Sequence, residues 1–130
     1  MYHVYCLNKL HIDNTILCMF YNSVIMSVLS YAISSWFSAC TESLKNDINR
    51  FDRKMKKMIE PVNSYLISNC KEVHVSRCKS LCDKIMKDCD HPLHPFYCKL
   101  NHHNKLRVIY CRTNRFKNSF VPSSISVFNS

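Results

Sequence analysis

The residues of this chain that are best suited to recognition chemistry lie near its C-terminus, where cations stand beside aromatic rings. No acidic residue follows Asp90, whereas lysines and arginines supply six positive charges after that position. Such cations neutralise phosphates, and phenylalanine rings stack on unpaired bases, so the pattern favours RNA or DNA as a partner. The alternative is that the rings dock on helices while the cations face water. The predicted nucleic-acid-binding residues are Arg107, Arg112, Arg115, Phe116, Lys117 and Phe120.

A second set of chemically able residues consists of cysteines and histidines between positions 78 and 103. Structural zinc needs four converging ligands, which pairs of the C-x-x-C type usually supply. No such pair occurs here, and Cys78 and Cys82 are four residues apart, a spacing that suits helix packing equally well. We therefore predict no metal ligand, and a zinc-stabilised module stays an alternative. The set is Cys78, Cys82, Cys89, His91, His94, Cys98, His102 and His103.

The sequence offers no constellation for catalysis. It contains no glycine in 130 residues, which excludes a P-loop, a dinucleotide fingerprint and a nucleophile elbow. His11 and Asp13 match two ligands of the facial triad in iron-dependent dioxygenases, but the chain lacks the strands of the required barrel. Carboxylates are scattered, and no paired acids for two-metal phosphoryl transfer occur. We expect no enzymatic activity and no cofactor.

The element around which the chain is organised is the uncharged stretch 14–41, which also lacks proline. At helical period, Ile16, Phe20, Val24 and Val28 line one face, with a serine stripe beside them. This pattern predicts one long buried helix that ends between residues 38 and 40. Its length also fits a bilayer span through residues 15–37. Six serines and two asparagines interrupt the run, so we favour burial in a protein core and regard a membrane partner as disfavoured.

Two amphipathic helices are predicted to cover this core helix. The first begins after Thr41 as N-cap and ends at Glu60, because Pro61 follows. The second begins at Asn69 and ends near Cys89, and its apolar stripe contains three of the nine cysteines. The prediction is an all-α fold: a small bundle of three to four helices over residues 1–100, with an irregular basic tail over residues 101–130. The apolar stripe of the first helix is Leu44, Ile48, Phe51, Met55, Met58 and Ile59.

The cysteine count bears on the compartment. Nine is an odd number, and no secretory signal precedes the apolar run. We expect reduced thiols and an intracellular location, nuclear or cytoplasmic.

Six segments of the sequence form a familiar pattern: residues 20–25 (FYNSVI), 27–31 (SVLSY), 36–37 (WF), 77–78 (RC), 91–92 (HP) and 112–122 (RTNRFKNSFVP). Together they resemble the C-terminal, post-polymerase region of non-LTR (LINE-type) retrotransposon reverse transcriptases. The likeness extends from about Tyr5 to Asn129, and its last segment is the most specific. Where the family usually has a glutamate, this chain has Met26, and where the family has a glycine, it has Ser38.

The resemblance implies a helical accessory region that contacts template RNA or target DNA and has no catalytic residues of its own. Its partners would be nucleic acid and the remainder of the parent polyprotein. The region around Leu17 to Trp36 also resembles the N-terminal domain of AlkB homologue 8, a tRNA-modifying dioxygenase and methyltransferase. No residue of this chain matches a motif for either of those chemistries.

Overall fold

A computed structural model gives the structure of residues 2–59, 69–100 and 104–130. Within these ranges the chain forms helices and no strand, apart from an isolated bridge between Lys99 and Leu106. The predicted all-α class is confirmed. The predicted helix end at Glu60 and Pro61 lies outside the described residues. The helices are α1 Tyr2–Lys9, α2 Asn14–Phe20, α3 Ser27–Ser30, α4 Ile33–Trp36, α5 Glu42–Ile59, α6 Cys70–Lys87, α7 Asn114–Lys117 and α8 Phe120–Asn129.

The chain forms two compact units. Unit 1 contains Met1–Tyr31 and Thr41–Glu72, and unit 2 contains Ala32–Cys40 and Val73–Ser130. Unit 2 therefore includes residues on both sides of position 100, where the sequence places the start of the tail.

The uncharged stretch does not form one uninterrupted α-helix. A π-helical segment, Tyr21–Met26, joins α2 to α3, and the helix stops before Ala32, whose φ of 46° lies in the left-handed region. A glycine normally takes such a position because it has no Cβ. This chain has no glycine and places alanine there. The prediction of a single helix reaching residues 38–40 is therefore wrong.

The same stretch is only half buried in unit 1. Leu17, Cys18, Tyr21 and Met26 are buried, as predicted for a core helix. On the other side the expectation of full burial is wrong. A π-helical turn contains one more residue than an α-helical turn. Across this segment, residues five apart therefore share one side of the helix, as the buried Tyr21 and Met26 do. The exposed apolar side chains are Ile16, Met19, Val24, Val28 and Tyr31, which keep between 48% and 80% of their surface in solvent.

Helix α5 supplies the other half of the unit 1 core. It begins as predicted, since the Leu44 N–H donates to Thr41 Oγ1 over 3.3 Å. Met55 is fully buried, whereas Leu44 is 48% exposed. The packing of the uncharged helix on α5 is seen in Tyr21, whose ring centroid lies 6.2 Å from that of Phe51.

None of the described helices is by itself long and apolar enough to cross a membrane. Asn14–Ser30 and Ile33–Ala39 together reach the required length and composition, but only as a bent pair.

Helix α6 forms the centre of unit 2. Its N-terminus is capped by Asn69, whose Oδ1 accepts from the Lys71 N–H over 3.0 Å. Cys78, Cys82 and Ile85 are buried on its apolar side, as the stripe predicts. The helix ends at Lys87, so Cys89 lies beyond it and is exposed.

Residues 104–113 of the C-terminal tail form no helix, in keeping with the predicted irregular tail, but residues 114–130 are largely helical, contrary to the prediction. Helix α7 is capped by Thr113, whose side chain accepts from the Phe116 N–H, and α8 follows almost directly. Pro122 fits into α8 because it lies in the first turn of the helix, where a backbone N–H has no intrahelical partner. The inner side of α8 is buried at Pro122, Ser124 and Ile125. Helix α8 is thus part of the core of unit 2.

Candidate nucleic-acid interface

The four predicted cations all lie at the surface of unit 2. Arg107 follows the Lys99–Leu106 bridge, and its N–H donates to the Cys98 carbonyl over 2.8 Å. Arg112, Arg115 and Lys117 are also exposed. No acidic residue follows Asp90 in the sequence, and within the described residues none of the four cations forms an ion pair.

Buried contacts hold the backbone that carries Arg107. Leu106 is fully buried next to it. Its N–H donates to Asn129 Oδ1 over 2.8 Å, and Asn129 Nδ2 donates back to the Leu106 carbonyl over 3.0 Å. The pair of bonds ties the segment to the end of α8, so Arg107 projects from an anchored backbone.

Arg115 and Lys117 are presented by the short helix α7. Thr113 caps this helix with a 3.2 Å bond to the Phe116 N–H. At the other end, Ser119 Oγ donates to the Phe116 carbonyl over 2.6 Å. Backbone groups at both ends of α7 are therefore hydrogen-bonded to local side chains. These bonds hold the orientation in which Arg115 and Lys117 project from the helix.

The two predicted stacking rings are not equivalent. Phe116 keeps 46% of its surface exposed and is available to a base. Phe120 is partly buried and packs against the cluster formed by Cys82, Tyr97 and Ile125. Phe120 therefore docks on the helices, as the alternative interpretation of the sequence has it. We assign this ring to packing and not to base stacking.

Tyr110 is an aromatic residue of this surface that the sequence analysis missed. It is 87% exposed and lies two residues before Arg112. Val108, at 73% exposure, lies beside Arg107. The available signal was the position of both side chains between Arg107 and Arg112.

The members of the cysteine and histidine set that the structure describes do not converge. Among the residues that the structure describes, no group of three or more potential ligands is placed to hold a metal ion. His102 and His103 lie outside the described residues. Instead, the Sγ atom of Cys78 lies 3.4 Å from Nε2 of His74, inside unit 2.

His74 belongs to a buried polar network that sequence reasoning did not find. Its Nε2 lies 3.1 Å from Ser38 Oγ, and Ser123 donates to the same serine. The ring of Phe37 covers it at a centroid distance of 4.9 Å. Burial, followed by the nearby Cys82, raises the pKa of Cys78 to about 11. This thiol stays protonated at neutral pH, which suits packing and not nucleophilic attack.

Comparison of the chain with protein-family models, curated proteins and solved structures gave no match.

Proposed function

We propose that this chain is a non-catalytic accessory region from the C-terminal part of a LINE-type reverse transcriptase, and that it binds RNA or DNA through phosphates. The observation that carries the proposal is the exposure of Arg107, Arg112, Arg115 and Lys117 on a stretch of unit 2 without acidic residues. Its partners would be nucleic acid and the rest of the parent polyprotein, inside the cell. An upstream reading frame that encodes a polymerase palm would support this origin.

Each part of the surface has its own role in this proposal. The cations contact phosphates and release condensed counterions, which makes binding depend on salt and little on sequence. Phe116 and Tyr110 offer ring faces to unpaired bases, so single strands are preferred to duplexes. Phe120 anchors the start of α8 on the core and keeps the α7 turn in place.

The salt dependence of binding tests the proposal. With four phosphate contacts on a single strand, the affinity should fall roughly fifty-fold between 50 and 200 mM salt. Fluorescence anisotropy with a labelled single-stranded RNA or DNA measures the slope. An affinity independent of salt, or no binding at low salt, would refute the proposal.

A matched pair of double variants locates the interface. Arg112→Gln with Arg115→Gln should lower the salt slope by roughly 1.4, since each contact to a single strand contributes about 0.7. Lys79→Gln with Lys84→Gln removes the same charge from exposed positions of α6 in the same unit and should leave the slope unchanged. Equal losses in both double variants would show diffuse attraction to a chain of net charge +9 and no defined interface.

A single-span membrane protein is the second candidate. It is supported by the exposed apolar side chains of the uncharged helix, such as Met19 and Val28, and by the bent helix pair. Extraction of membranes with alkaline carbonate separates the candidates. Release of the expressed chain into the supernatant eliminates the span, and retention in the pellet favours it.

A further inference from the structure

Unit 1 carries a groove whose lining includes no residue of the basic tail. It has a volume of about 530 Å³ and is lined by residues of α1 and α5. This volume lies within the range of pockets that bind small molecules. The lining residues are Tyr2, Tyr5, Lys54, Lys57 and Met58.

The groove combines aromatic and cationic side chains. Tyr2 and Tyr5 keep 74% and 53% of their surfaces exposed, although both stand on a helix that buries Val4. Lys54 and Lys57, which are exposed, lie three residues apart on α5, so they project from the same side of that helix. A further cation adjoins the groove, since Lys9 Nζ lies 4.9 Å from the Tyr5 ring centroid.

The surface of α5 beside the groove is complementary to phosphate. Residues 50–57 contain five lysines and arginines and one acid, Asp52. That acid is only 2% exposed, because its carboxylate accepts hydrogen bonds from Tyr21 and Cys70 inside unit 1. Arg50 pairs with Asp47 at the surface, so it is over residues 53–57 that the solvent meets positive charge without a carboxylate in the same stretch.

We propose that this groove binds an unpaired base of single-stranded RNA or DNA. The base stacks on Tyr5 and Tyr2, and the phosphates on either side of it contact Lys54 and Lys57. Stacking platforms flanked by cations are the usual means of holding single strands without reading their sequence. The inference rests on nucleic acid being the ligand, as in the proposed function, but it assigns a separate site on the other unit.

Binding of the full chain to a pentanucleotide with bases and to a fully abasic one of equal length tests the site. Stacking of one base should make the intact oligonucleotide bind at least about fivefold more tightly. Tyr5→Leu, which keeps an apolar side chain at a half-exposed position, should lower the affinity for the intact oligonucleotide and leave the abasic one unaffected. Lys54→Gln with Lys57→Gln should weaken both.

Tyr31→Leu is the matched control, because Tyr31 is a tyrosine of unit 1 that is 80% exposed and does not line the groove. Circular dichroism of each variant verifies that the helices are retained. Equal affinities of Tyr5→Leu and Tyr31→Leu for the intact oligonucleotide would overturn the groove site. Competition by polyglutamate as strong as that by polyuridine would also overturn it, in favour of an acidic peptide.

The tail variants separate this inference from the proposed function. If Arg112→Gln with Arg115→Gln weakens binding and Tyr5→Leu does not, the groove proposal fails and the tail interface stands. If Tyr5→Leu weakens binding and the tail double variant does not, the groove is the binding site and the proposed tail interface fails. Phe116→Leu shows whether any preference for bases comes from the tail.

Discussion

Asp52 shows at the scale of a single residue how position in the fold overrides local sequence. It stands among lysines and arginines on α5, where the sequence indicates one more solvated acid. Its carboxylate instead lies in the core of unit 1. Tyr21 Oη donates to Oδ1 over 3.1 Å, and the Cys70 N–H donates to Oδ2 over 3.2 Å. Two elements distant in sequence are thus joined to α5 by one side chain.

Truncation of this side chain should be costly. Asp52→Ala leaves the Tyr21 hydroxyl and the Cys70 N–H buried without an acceptor, so we expect a loss of about 1–3 kcal/mol in the free energy of unfolding. Urea denaturation followed by circular dichroism measures it. Asp47→Ala, at an exposed position of the same helix whose contact to Arg50 is a surface ion pair, should change stability by no more than about 0.5 kcal/mol. Similar losses in both variants would contradict the buried role.

The two phenylalanines of the tail make the same point for the candidate interface. Phe116 and Phe120 are four residues apart and were equivalent in the sequence pattern. Only the packing of α8 on α6 separates them, since it covers Phe120 and leaves Phe116 at the surface. The cations were easier to predict, because burial of an unpaired lysine or arginine costs too much to be common.

At the scale of elements, the π-helical segment decides which side of the uncharged helix is buried. A pattern read at 3.6 residues per turn predicts stripes that continue through residues 21–26. The wider turn brings residues five apart onto one side: Met19 and Val24 are exposed, and Tyr21 and Met26 are buried. The serines on the exposed side bond back to the helix: Ser23 Oγ donates to the Met19 carbonyl over 2.7 Å. Such bonds satisfy the hydroxyls locally and are known to bend helices.

Helix α8 supports a prediction about the tail as an element. Ile125 is 1% exposed and packs in the cluster with Cys82, Ile85 and Tyr97. Ile125→Ala should therefore cost about 2–5 kcal/mol in the free energy of unfolding of unit 2. The fluorescence of Trp36, the single tryptophan, reports on this unit during denaturation.

The control for this prediction is another apolar residue of the tail. Val108 is 73% exposed, so Val108→Ala should change stability by less than about 0.5 kcal/mol. An Ile125→Ala protein as stable as Val108→Ala would mean that the tail does not belong to the core.

At the scale of the whole molecule, buried cysteine thiols and tyrosine hydroxyls with raised pKa values occur in both units. Burial, with the neighbouring charge of Asp52 as the next cause, raises the pKa of Cys70 to about 12 and raises that of Tyr21 further. In unit 2, burial raises the pKa of Cys78 to about 11 and also raises that of Tyr97. Each group keeps its proton in the folded chain at pH values where the unfolded chain loses it.

Stability should therefore fall on the alkaline side. An unfolded thiol loses its proton near pH 8.5, so above that pH the unfolded state binds fewer protons than the folded state. The contribution of Cys78 is fully present below about pH 8.5 and is lost as the pH rises towards 11, by roughly 1.4 kcal/mol per pH unit. Urea denaturation of the chain between pH 8 and 10.5, followed by Trp36 fluorescence, measures the slope.

Two variants show whether Cys78 causes this dependence of the free energy of unfolding on pH. Cys78→Ala should make it shallower by about one proton, whatever its effect on the stability at neutral pH. Cys98→Ala, at an exposed cysteine, should leave it unchanged. A slope that is the same in both variants would show that Cys78 does not contribute.

The sequence by itself determined the helical class, the caps at Thr41 and Asn69, and the exposure of the basic residues. These depend on local hydrogen bonding, periodicity and the cost of burying charge, all of which can be judged within a few residues. Only the tertiary structure decided which apolar side chains are covered, that Asp52 lies in the core, and that residues 120–129 are helical. Those outcomes depend on partners distant in sequence: Tyr21 for Asp52, and the α6 cluster for Ile125. The same is true of the groove that brings Tyr5 to Lys54, because a surface between two helices exists only once they have packed.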